Sequence, residues 1–337
     1  MKVLFLFKSL KTPSSRIRIL DIMPELEKLG IRCDYETFPR NIIKRYVLFR
    51  KCEKYDAVVF QKKLLNSIEF AILRKHSRFL VFDYDDAIYY KNASPSQDMK
   101  DYLSSSSERR FRRIIEKCDL VVAANRVLAS KAGETTPDSK IRIIPSPVKM
   151  DEILSRSDTE IRGIPVIGWI GMKGNLTFIE YISDALRELR KKQDFVLKII
   201  SDNSIEIPGI KIEFVKWSLD AQNREIRSFD IGIMPLSADP YSEGKAAYKL
   251  IQYLAAGVPS VCSPVGMNLD FCRNDEYAIS AEKSEDFAEK ILLLVKNCKI
   301  RAILSESGKK LVRERFDIGV VAKSYAEALK DNLPQKG

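Results

Sequence analysis

The sequence is poor in the residues that hold transition metals and in long apolar runs. Its 337 residues include one histidine, His76, and six cysteines that form no C-x-x-C pair. Structural zinc sites need closely spaced Cys and His ligands, so the sequence predicts none. The scattered cysteines are typical of free thiols in a reducing cytoplasm. His76 follows Arg74 and Lys75 and is interpreted as a surface residue rather than a catalytic base.

No apolar run approaches the ~20 residues of a membrane span, so none is predicted. Residues 1–8 are apolar but short, are interrupted by Lys8 and lack a small-residue cleavage site, so we expect a buried first strand there. An apolar content of 45% is ordinary for globular proteins, which excludes disorder, and the length predicts about two domains.

The excess of positive over negative charge is confined to the first half of the chain. Residues 1–150 contain 30 basic and 18 acidic residues, whereas residues 151–337 contain 27 and 28. Such an asymmetry indicates a polyanionic partner, either a membrane surface or a nucleic acid. A nucleic-acid-binding protein is kept as an alternative, although no reading motif is found and aromatic residues do not interleave with basic runs.

Residues 41–54 are predicted to form a helix with Asn41 as its cap. Apolar and basic residues alternate along it: Ile42, Ile43, Tyr46, Val47 and Phe49 with Lys44, Arg45, Arg50, Lys51 and Lys54. Two interpretations remain open. The helix lies on an anionic bilayer with its apolar side down, or it faces the core with a solvated basic rim. Association with the inner face of the plasma membrane is therefore one expectation for this protein.

Apolar strand patterns alternate with helix patterns throughout, in two series separated by a polar linker at 149–163. This alternation is typical of parallel sheets covered on both faces. We predict an α/β fold with two Rossmann-like domains facing a central cleft, where ligands bind at the carboxyl ends of the strands. The expected boundaries are 1–150, 151–315, and a final helix at 316–337 that packs on the first domain. The serine-rich residues 91–108 are predicted to be a mobile loop.

Residues 243–261 carry the most informative pattern. Gly244 precedes a predicted helix at 246–255, and a glycine there lets a ligand approach backbone N–H groups at a helix N-terminus that favours anions. Lys245 and Lys249 lie four residues apart and are expected on one face of that helix. The combination predicts a diphosphate site.

These segments resemble a retaining glycosyltransferase of the GT-B fold, family 4 type. The resemblance rests on Ser14-Ser15-Arg16-Ile17-Arg18, on residues 120–125 and 143–148, on residues 167–174, and on residues 239–268, in that order. It implies a nucleotide diphosphate sugar as donor, of UDP or GDP type, and a glycan or lipid-linked acceptor in cell-surface polysaccharide synthesis. It departs from the family where Gln252 replaces the second glutamate of E-x7-E and where only Lys173 remains of an Arg…Lys pair. The first glutamate aligns with Gly244, beside Glu243.

The resemblance implies a set of site residues. Lys245 and Lys249, opposite Lys173, are expected to neutralise the diphosphate, Gln252 to bind the ribose and Glu243 the sugar. The remaining donor contacts are expected at Gly171, Gly244, Gly266, Met267 and Asn268. Ser15, Arg16, Arg18 and Asp83 are expected to bind the acceptor.

Asp83-Tyr84-Asp85-Asp86 follows a predicted strand at 79–82, so its carboxylates are expected at a ligand-binding edge. Asp85 and Asp86 are assigned to catalysis, and a capping or turn cluster is the alternative. The D-x-D pattern is a metal site in the GT-A fold, but the nucleotide signature lies in the second half, so we expect no metal cofactor. A GT-B nucleotide-sugar epimerase is a further alternative, although such enzymes rely on several carboxylates and histidines.

Overall fold

The computed structural model describes residues 1–91, 98–153, 155 and 158–334. The chain forms two compact units. Unit 1 comprises Met1–Pro147, Gly244–Ala246 and Asp317–Gly337, and unit 2 comprises Val148–Glu243 and Ala247–Phe316. In the described residues each unit contains one parallel six-stranded sheet between helices.

Unit 1 is built on a sheet of order β2-β1-β3-β4-β5-β6. The strands are β1 (Lys2–Phe7), β2 (Arg32–Thr37), β3 (Ala57–Gln61), β4 (Leu80–Tyr84), β5 (Leu120–Ala123) and β6 (Ile141–Ile143). The helices are α1 (Pro13–Ser15), α2 (Met23–Lys28), α3 (Ile42–Lys51), α4 (Ser67–Lys75), α5 (Ser105–Lys117) and α6 (Arg126–Gly133). A π-helical turn, Arg16–Leu20, follows α1. The strand order reverses between β1 and β3, where a doubly wound sheet opens a crevice.

Unit 2 is built on a sheet of order β12-β11-β10-β7-β8-β9. The strands are β7 (Val166–Ile170), β8 (Val196–Ser201), β9 (Ile212–Lys216), β10 (Ile231–Met234), β11 (Ser260–Cys262) and β12 (Ile279–Ser280). The helices are α7 (Thr177–Tyr181), α8 (Ser183–Lys192), α9 (Leu219–Arg227), α10 (Pro240–Glu243), α11 (Tyr248–Ala255), α12 (Leu269–Cys272), α13 (Asp286–Lys296) and α14 (Cys298–Arg315). Here the order reverses between β7 and β10.

The final helix, α15 (Ile318–Asn332), belongs to unit 1 and packs beside α2. Its side chains Val321, Tyr325 and Leu329 share a buried cluster with Val3 and Phe5 of β1. The central strands of unit 1 are buried and mostly apolar because helices cover both faces of the sheet, and the polar residues Gln61 and Asp83 lie near the carboxyl ends of β3 and β4. Within the described part of the chain, no helix is both long and apolar enough to cross a membrane.

Local chemistry explains most element boundaries. Asn41 caps α3 by accepting hydrogen bonds from the Ile43 and Lys44 N–H groups, which confirms the predicted cap. The predicted helix at 17–29 is wrong as a single element, because Pro24 has no N–H to donate and a new helix starts there. The predicted helix at 178–190 is divided at Ile182, whose φ and ψ of −104° and 13° leave the helical region.

Two predicted loops lie partly outside the described residues. In the linker at 149–163, residues 154, 156 and 157 are not described, and a helical turn occupies Met150–Glu152. In the loop at 91–108, residues 92–97 are not described. Its last residues are helical, because α5 begins at Ser105, where the Ser104 hydroxyl caps the helix through the Ser107 N–H.

Candidate functional site

In unit 2 a crevice opens where β7 and β10 separate. The two strands pair at Ile167–Ile231 and Gly168–Gly232. Beyond these pairs the Tyr253 hydroxyl bridges the two strands in place of a direct backbone hydrogen bond. It accepts from Ile170 N of β7 at 3.1 Å and donates to Ile233 O of β10 at 3.4 Å. Ligands of open α/β sheets bind outside the carboxyl ends of strands at such a reversal. The loops after β7, β10 and β11 therefore form the candidate site.

Gly171 and Lys249 meet directly at this crevice. A Cβ atom on Gly171 would lie 2.5 Å from the Trp169 ring and 2.8 Å from Lys249 Cε, so only glycine fits there. The Lys249 ammonium lies 5.5 Å from the centroid of the Trp169 ring, within cation–π range. The lysine side chain is thus held across Gly171 by an aromatic ring that is itself buried.

Lys245 and Lys249 do not share a helical face, and that prediction is wrong. The helix α11 begins at Tyr248 because Ala247 adopts a left-handed conformation with φ of 49°. Lys245 precedes this turn, in the segment Gly244–Ala246 that belongs to unit 1. The i,i+4 relationship requires continuous helix between the two residues, and Ala247 interrupts it.

Glu243 is fixed at the end of α10 by Asp239. The buried Asp239 carboxylate accepts hydrogen bonds from Tyr241 N, Ser242 N and the hydroxyls of Ser237 and Ser242. Gly266, with φ of +56°, lies against the backbone of Glu243, where a Cβ would approach Glu243 O to 2.2 Å. The structure therefore brings Glu243 and Gly266 together and leaves the Glu243 side chain exposed.

The loop after β11 is tied to the loop after β10. The Ser263 hydroxyl accepts from Leu236 N at 3.0 Å, and Asn268 Nδ2 donates to Ser263 O at 3.1 Å. Within the described residues the buried Asn268 Oδ1 has no hydrogen-bond partner. Met267 is also buried, as is the Gln252 side chain on α11.

Lys173 lies in a short helical turn after β7, with an exposed side chain. Its backbone N–H donates to Asp202 Oδ1 at 2.5 Å, and the Ser201 hydroxyl also donates to that oxygen at 3.2 Å. Asp202 follows β8, so this contact fixes the loop of Lys173 against the neighbouring strand. Asp202 was not predicted as a site residue, because no sequence pattern marks it.

In unit 1, Arg18 and Asp83 form an ion pair with each other and are buried rather than exposed to a ligand. The Arg18 guanidinium makes a bidentate ion pair with Asp83 at 2.9 and 2.8 Å, and the two side chains are 1% and 0% exposed. Arg18 also donates to Ile144 O, and the Tyr325 hydroxyl of α15 donates to Asp83. Burial acts to lower the pKa of Arg18, but the charge of Asp83, its hydrogen bond to Arg18 and the charge of Asp85 together raise that pKa. Contact of either residue with an acceptor stays a prediction.

Ser15 is buried as well, and its hydroxyl donates to Gln61 Oε1 at 2.8 Å. Gln61 in turn donates to Ser14 O at 3.0 Å, so the loop after β1 is fastened to the end of β3 at the strand-order reversal of unit 1. Arg16 is half-buried and begins the π-helical turn. Its binding of an acceptor, like that of Ser15, stays a prediction.

Lys62, Asp85 and Asp86 form a charged cluster beside that reversal. Lys62 follows β3 in a left-handed conformation with φ of 52°, its ammonium lies 2.9 Å from Asp85 Oδ1, and it donates a short hydrogen bond to Asp86. Asp85 Oδ1 is buried and is paired with this ammonium, although the contact falls short of regular hydrogen-bond geometry. Burial raises the pKa of Asp85 although the Lys62 charge opposes this. Burial acts to lower the pKa of Lys62, but the two carboxylates raise it overall.

Gly244 was predicted to let a ligand approach the backbone, but the atoms that lie close to it are protein atoms. A Cβ there would lie 2.6 Å from Ala87 Cβ and 3.1 Å from Leu128 Cδ2, and the Gly244 and Lys245 carbonyls accept from Asn125 Nδ2 at 3.2 and 3.1 Å. The glycine thus lets the segment Gly244–Ala246 pack closely within unit 1. A donor contact at Gly244 stays a prediction.

The part of unit 2 that contains the crevice matches a known protein family. Residues 164–297 match the family model of glycosyl transferases group 1. This group 1 region spans β7 to α13 and includes each of the unit 2 loops described above. A search of curated protein sequences found no match.

The fold is similar to solved structures at low identity, and two of the three described here are named as a glycosyltransferase and a galactosyltransferase. Anabaena Alr3699/HepE in complex with UDP is 14% identical, with a TM-score of 0.73 over 98% of this chain and 100% of that one. A glycosyltransferase from Rickettsia africae is 15% identical, with a TM-score of 0.76 over 99% of both chains. The lipopolysaccharide outer core galactosyltransferase WaaB is 14% identical, with a TM-score of 0.71 over 99% and 100%. These likenesses confirm the predicted α/β, GT-B fold class.

Two further observations concern metal and ligand sites. Among the described residues no group of three or more His, Cys, Asp or Glu side chains is arranged to hold a metal ion. A cleft of about 600 Å³ lies between α6 and β6 of unit 1, lined by Arg126, Ser130, Glu134 and Asp138 among others. It contains none of the predicted site residues, and it lies outside the group 1 region.

Proposed function

We propose that the protein is a retaining glycosyltransferase. In this proposal it moves a sugar from a nucleotide diphosphate donor, of UDP type, to a glycan or lipid-linked acceptor of the cell surface. The observation that carries the proposal is the group 1 match at 164–297, which coincides with the crevice where β7 and β10 separate. The choice of UDP is supported by Alr3699/HepE, which has been solved with UDP and with UDP-glucose.

The donor diphosphate is placed at the N-terminus of α11. This end of a helix favours anions, and Ala247 offers no side-chain oxygen to cap it. Lys249 in the first turn adds a positive charge held against Trp169. As the glycosidic bond breaks, charge grows on the leaving phosphate, and a fixed cation stabilises that charge more in the transition state than in the ground state. Lys173 and Lys245 supply further cations in this proposal, which requires no metal.

The remaining donor contacts follow from the loops. Exposed Glu243, fixed by Asp239 and Gly266, is proposed to bind sugar hydroxyls. Gln252 is proposed to bind the ribose, since an amide both donates and accepts. The backbone around Met267 and Asn268 completes the set. Retention is part of the proposal and calls for attack on the same face of the sugar, with the departing phosphate taking the acceptor proton.

The acceptor is assigned to the Lys62–Asp85–Asp86 cluster of unit 1. Asp85 has a buried carboxylate oxygen that accepts no hydrogen bond from the described residues. A carboxylate oxygen has more than one lone pair, so beside its ion pair with Lys62 this oxygen can also accept a hydrogen bond from an acceptor hydroxyl. Lys62 keeps the carboxylate ionised and oriented, and its left-handed backbone is the strained conformation that often marks functional loops.

A thermal-shift screen of the full chain tests the donor assignment. Ligands that bind only the folded state raise the melting temperature, so UDP and UDP-sugars are expected to raise it and ADP is not. GDP is tested beside UDP, and a shift with GDP but not with UDP would assign the donor to the GDP type. An oligonucleotide that raises the melting temperature while all the nucleotides fail would contradict the transferase and favour a nucleic-acid-binding protein.

Asp85→Asn tests the acceptor assignment. The variant is expected to raise the acceptor KM or lower kcat by about tenfold while leaving the UDP melting shift unchanged. Because burial raises the pKa of Asp85, wild-type activity should fall in acid at a higher pH than an exposed aspartate would allow, and the variant should lose this acid limb.

Asp101→Asn, at an aspartate on the surface of unit 1, is the control for Asp85→Asn and should leave kcat and KM unchanged. An unaltered pH profile in a folded Asp85→Asn protein would remove Asp85 from the site.

A further inference from the structure

Helix α3 of unit 1 has two apolar faces. One face is buried through Leu48 and Phe49, which are 4% and 1% exposed and anchor the helix. The other face is open: Ile42, Ile43, Tyr46 and Val47 are 65%, 70%, 44% and 51% exposed. Their spacing of i, i+1, i+4 and i+5 places them on one side of the helix. We call these four residues the α3 stripe.

The stripe lies on a rigid support. Arg45 makes an ion pair with Glu69, which joins the middle of α3 to the first turn of α4. Glu69 also completes the capping box of α4 with Asn66, so both helices are fixed at this point. The next residue toward the α4 N-terminus, Ile68, is 72% exposed and adds apolar surface on α4. Isolated exposed apolar residues are ordinary, but four on one helix face mark an interaction surface.

The charges around the stripe are almost all positive. Residues 40–54 contain six basic residues and one acidic residue, Glu53. Arg45 is held by Glu69, whereas five of the basic residues have exposed side chains: Arg40, Lys44, Arg50, Lys51 and Lys54. Of these, Lys51 lies 3.7 Å from the exposed Glu36 carboxylate, a contact at the surface that contributes little. The partner of this surface must therefore supply an apolar layer beside a concentration of negative charge.

We propose that the α3 stripe binds the interface of an anionic lipid bilayer. Aliphatic side chains enter the acyl boundary, Tyr46 occupies the headgroup level where aromatic residues are favoured, and the cations meet lipid phosphates. Nucleic acid would match the cations but leaves the exposed isoleucines and valine without a partner. This surface adds a partner to the proposed function. Lipid binding is measured without sugar transfer, so either proposal can fail alone.

The test is co-sedimentation of the full chain with vesicles. Vesicles of phosphatidylcholine mixed with phosphatidylglycerol are expected to bind the protein at low ionic strength, and high salt is expected to weaken binding because it screens exposed charges. Vesicles of phosphatidylcholine alone should bind much less. Absence of binding to the mixed vesicles at low salt would overturn the proposal.

Paired variants separate the two components. Lys44→Gln with Arg50→Gln is expected to weaken binding about thirtyfold, since each basic residue contributes about fivefold near an anionic surface. Ile42→Ser with Val47→Ser is expected to weaken it by about tenfold or more. The matched controls lie on unit 2: Lys296→Gln with Lys299→Gln, and Ile303→Ser at an isoleucine that is also 65% exposed. These should bind as the wild type does.

Light scattering of the vesicle-free protein gives the competing outcome. A dimer that Ile42→Ser with Val47→Ser converts to a monomer, together with vesicle binding that those substitutions leave unchanged, would assign the stripe to a second copy of the chain. Equal loss of vesicle binding in the unit 2 controls would also overturn the proposal.

Discussion

Replacement of Arg18 by methionine is expected to lower the free energy of unfolding by about 3–5 kcal/mol. The methionine side chain fills a volume similar to that of arginine, so the main effect is electrostatic. The Asp83 carboxylate is left buried without its counter-ion. The Ile144 carbonyl also loses a donor. Urea denaturation of the full chain, followed by circular dichroism, measures the loss.

Two companion variants make the result specific. Arg16→Met removes a neighbouring arginine that is half-buried in the same turn, and it should stay within about 0.5 kcal/mol of the wild type. Arg18→Met with Asp83→Leu should recover part of the stability, because removing both charges costs less than isolating one. Wild-type stability in Arg18→Met alone would show that the pair does not support the fold.

Lys249→Ala is expected to reduce sugar transfer by about tenfold or more, or at least about 1.4 kcal/mol in barrier height. The ammonium group is proposed to stabilise the leaving diphosphate, so the loss should fall on kcat and also weaken UDP binding. UDP release is measured with whichever UDP-sugar raises the melting temperature. Lys192→Ala, at an exposed lysine of α8, should retain full activity.

The side-chain position of Lys249 requires a stability control. Its ammonium lies over Trp169, so the variant also loses a cation–π contact that contributes about 0.5–1 kcal/mol. A small drop in melting temperature is therefore expected and does not explain a tenfold loss of turnover. Unchanged kinetics in the folded variant would remove Lys249 from the mechanism and leave Lys173 and Lys245 as the candidate cations.

The strand pattern and fold class were predictable because both depend on local apolar runs. Buried parallel strands such as Ala57–Gln61 and Ile231–Met234 read as continuous β-branched and apolar segments between polar turns. The group 1 match then coincides with the segments from which the donor site was predicted. Gly171 and Lys249 were both predicted as site residues from these segments. Their direct contact with each other could not be predicted from the sequence.

What the sequence could not predict depends on distant contacts or on unusual backbone. Nothing in the sequence marks Ala247 as left-handed, yet this one residue separates Lys245 from α11. The Arg18–Asp83 pair joins residues 65 positions apart, so two predicted acceptor residues form a buried contact. Lys62 was not among the predicted site residues, because its place beside Asp85 depends on strand order.

The return of α15 to unit 1 has a consequence for biosynthesis. The first 147 residues carry most of that unit, but Tyr325 and Leu329 of its core are added at the far end of the chain. On the ribosome, part of one face of the N-terminal sheet therefore stays uncovered until the whole of unit 2 has been translated, although Ile19, Ile22 and Leu26 already cover the rest. Nascent chains truncated before Asp317 should therefore be recognised by chaperones and digested by proteases far more readily than the released protein.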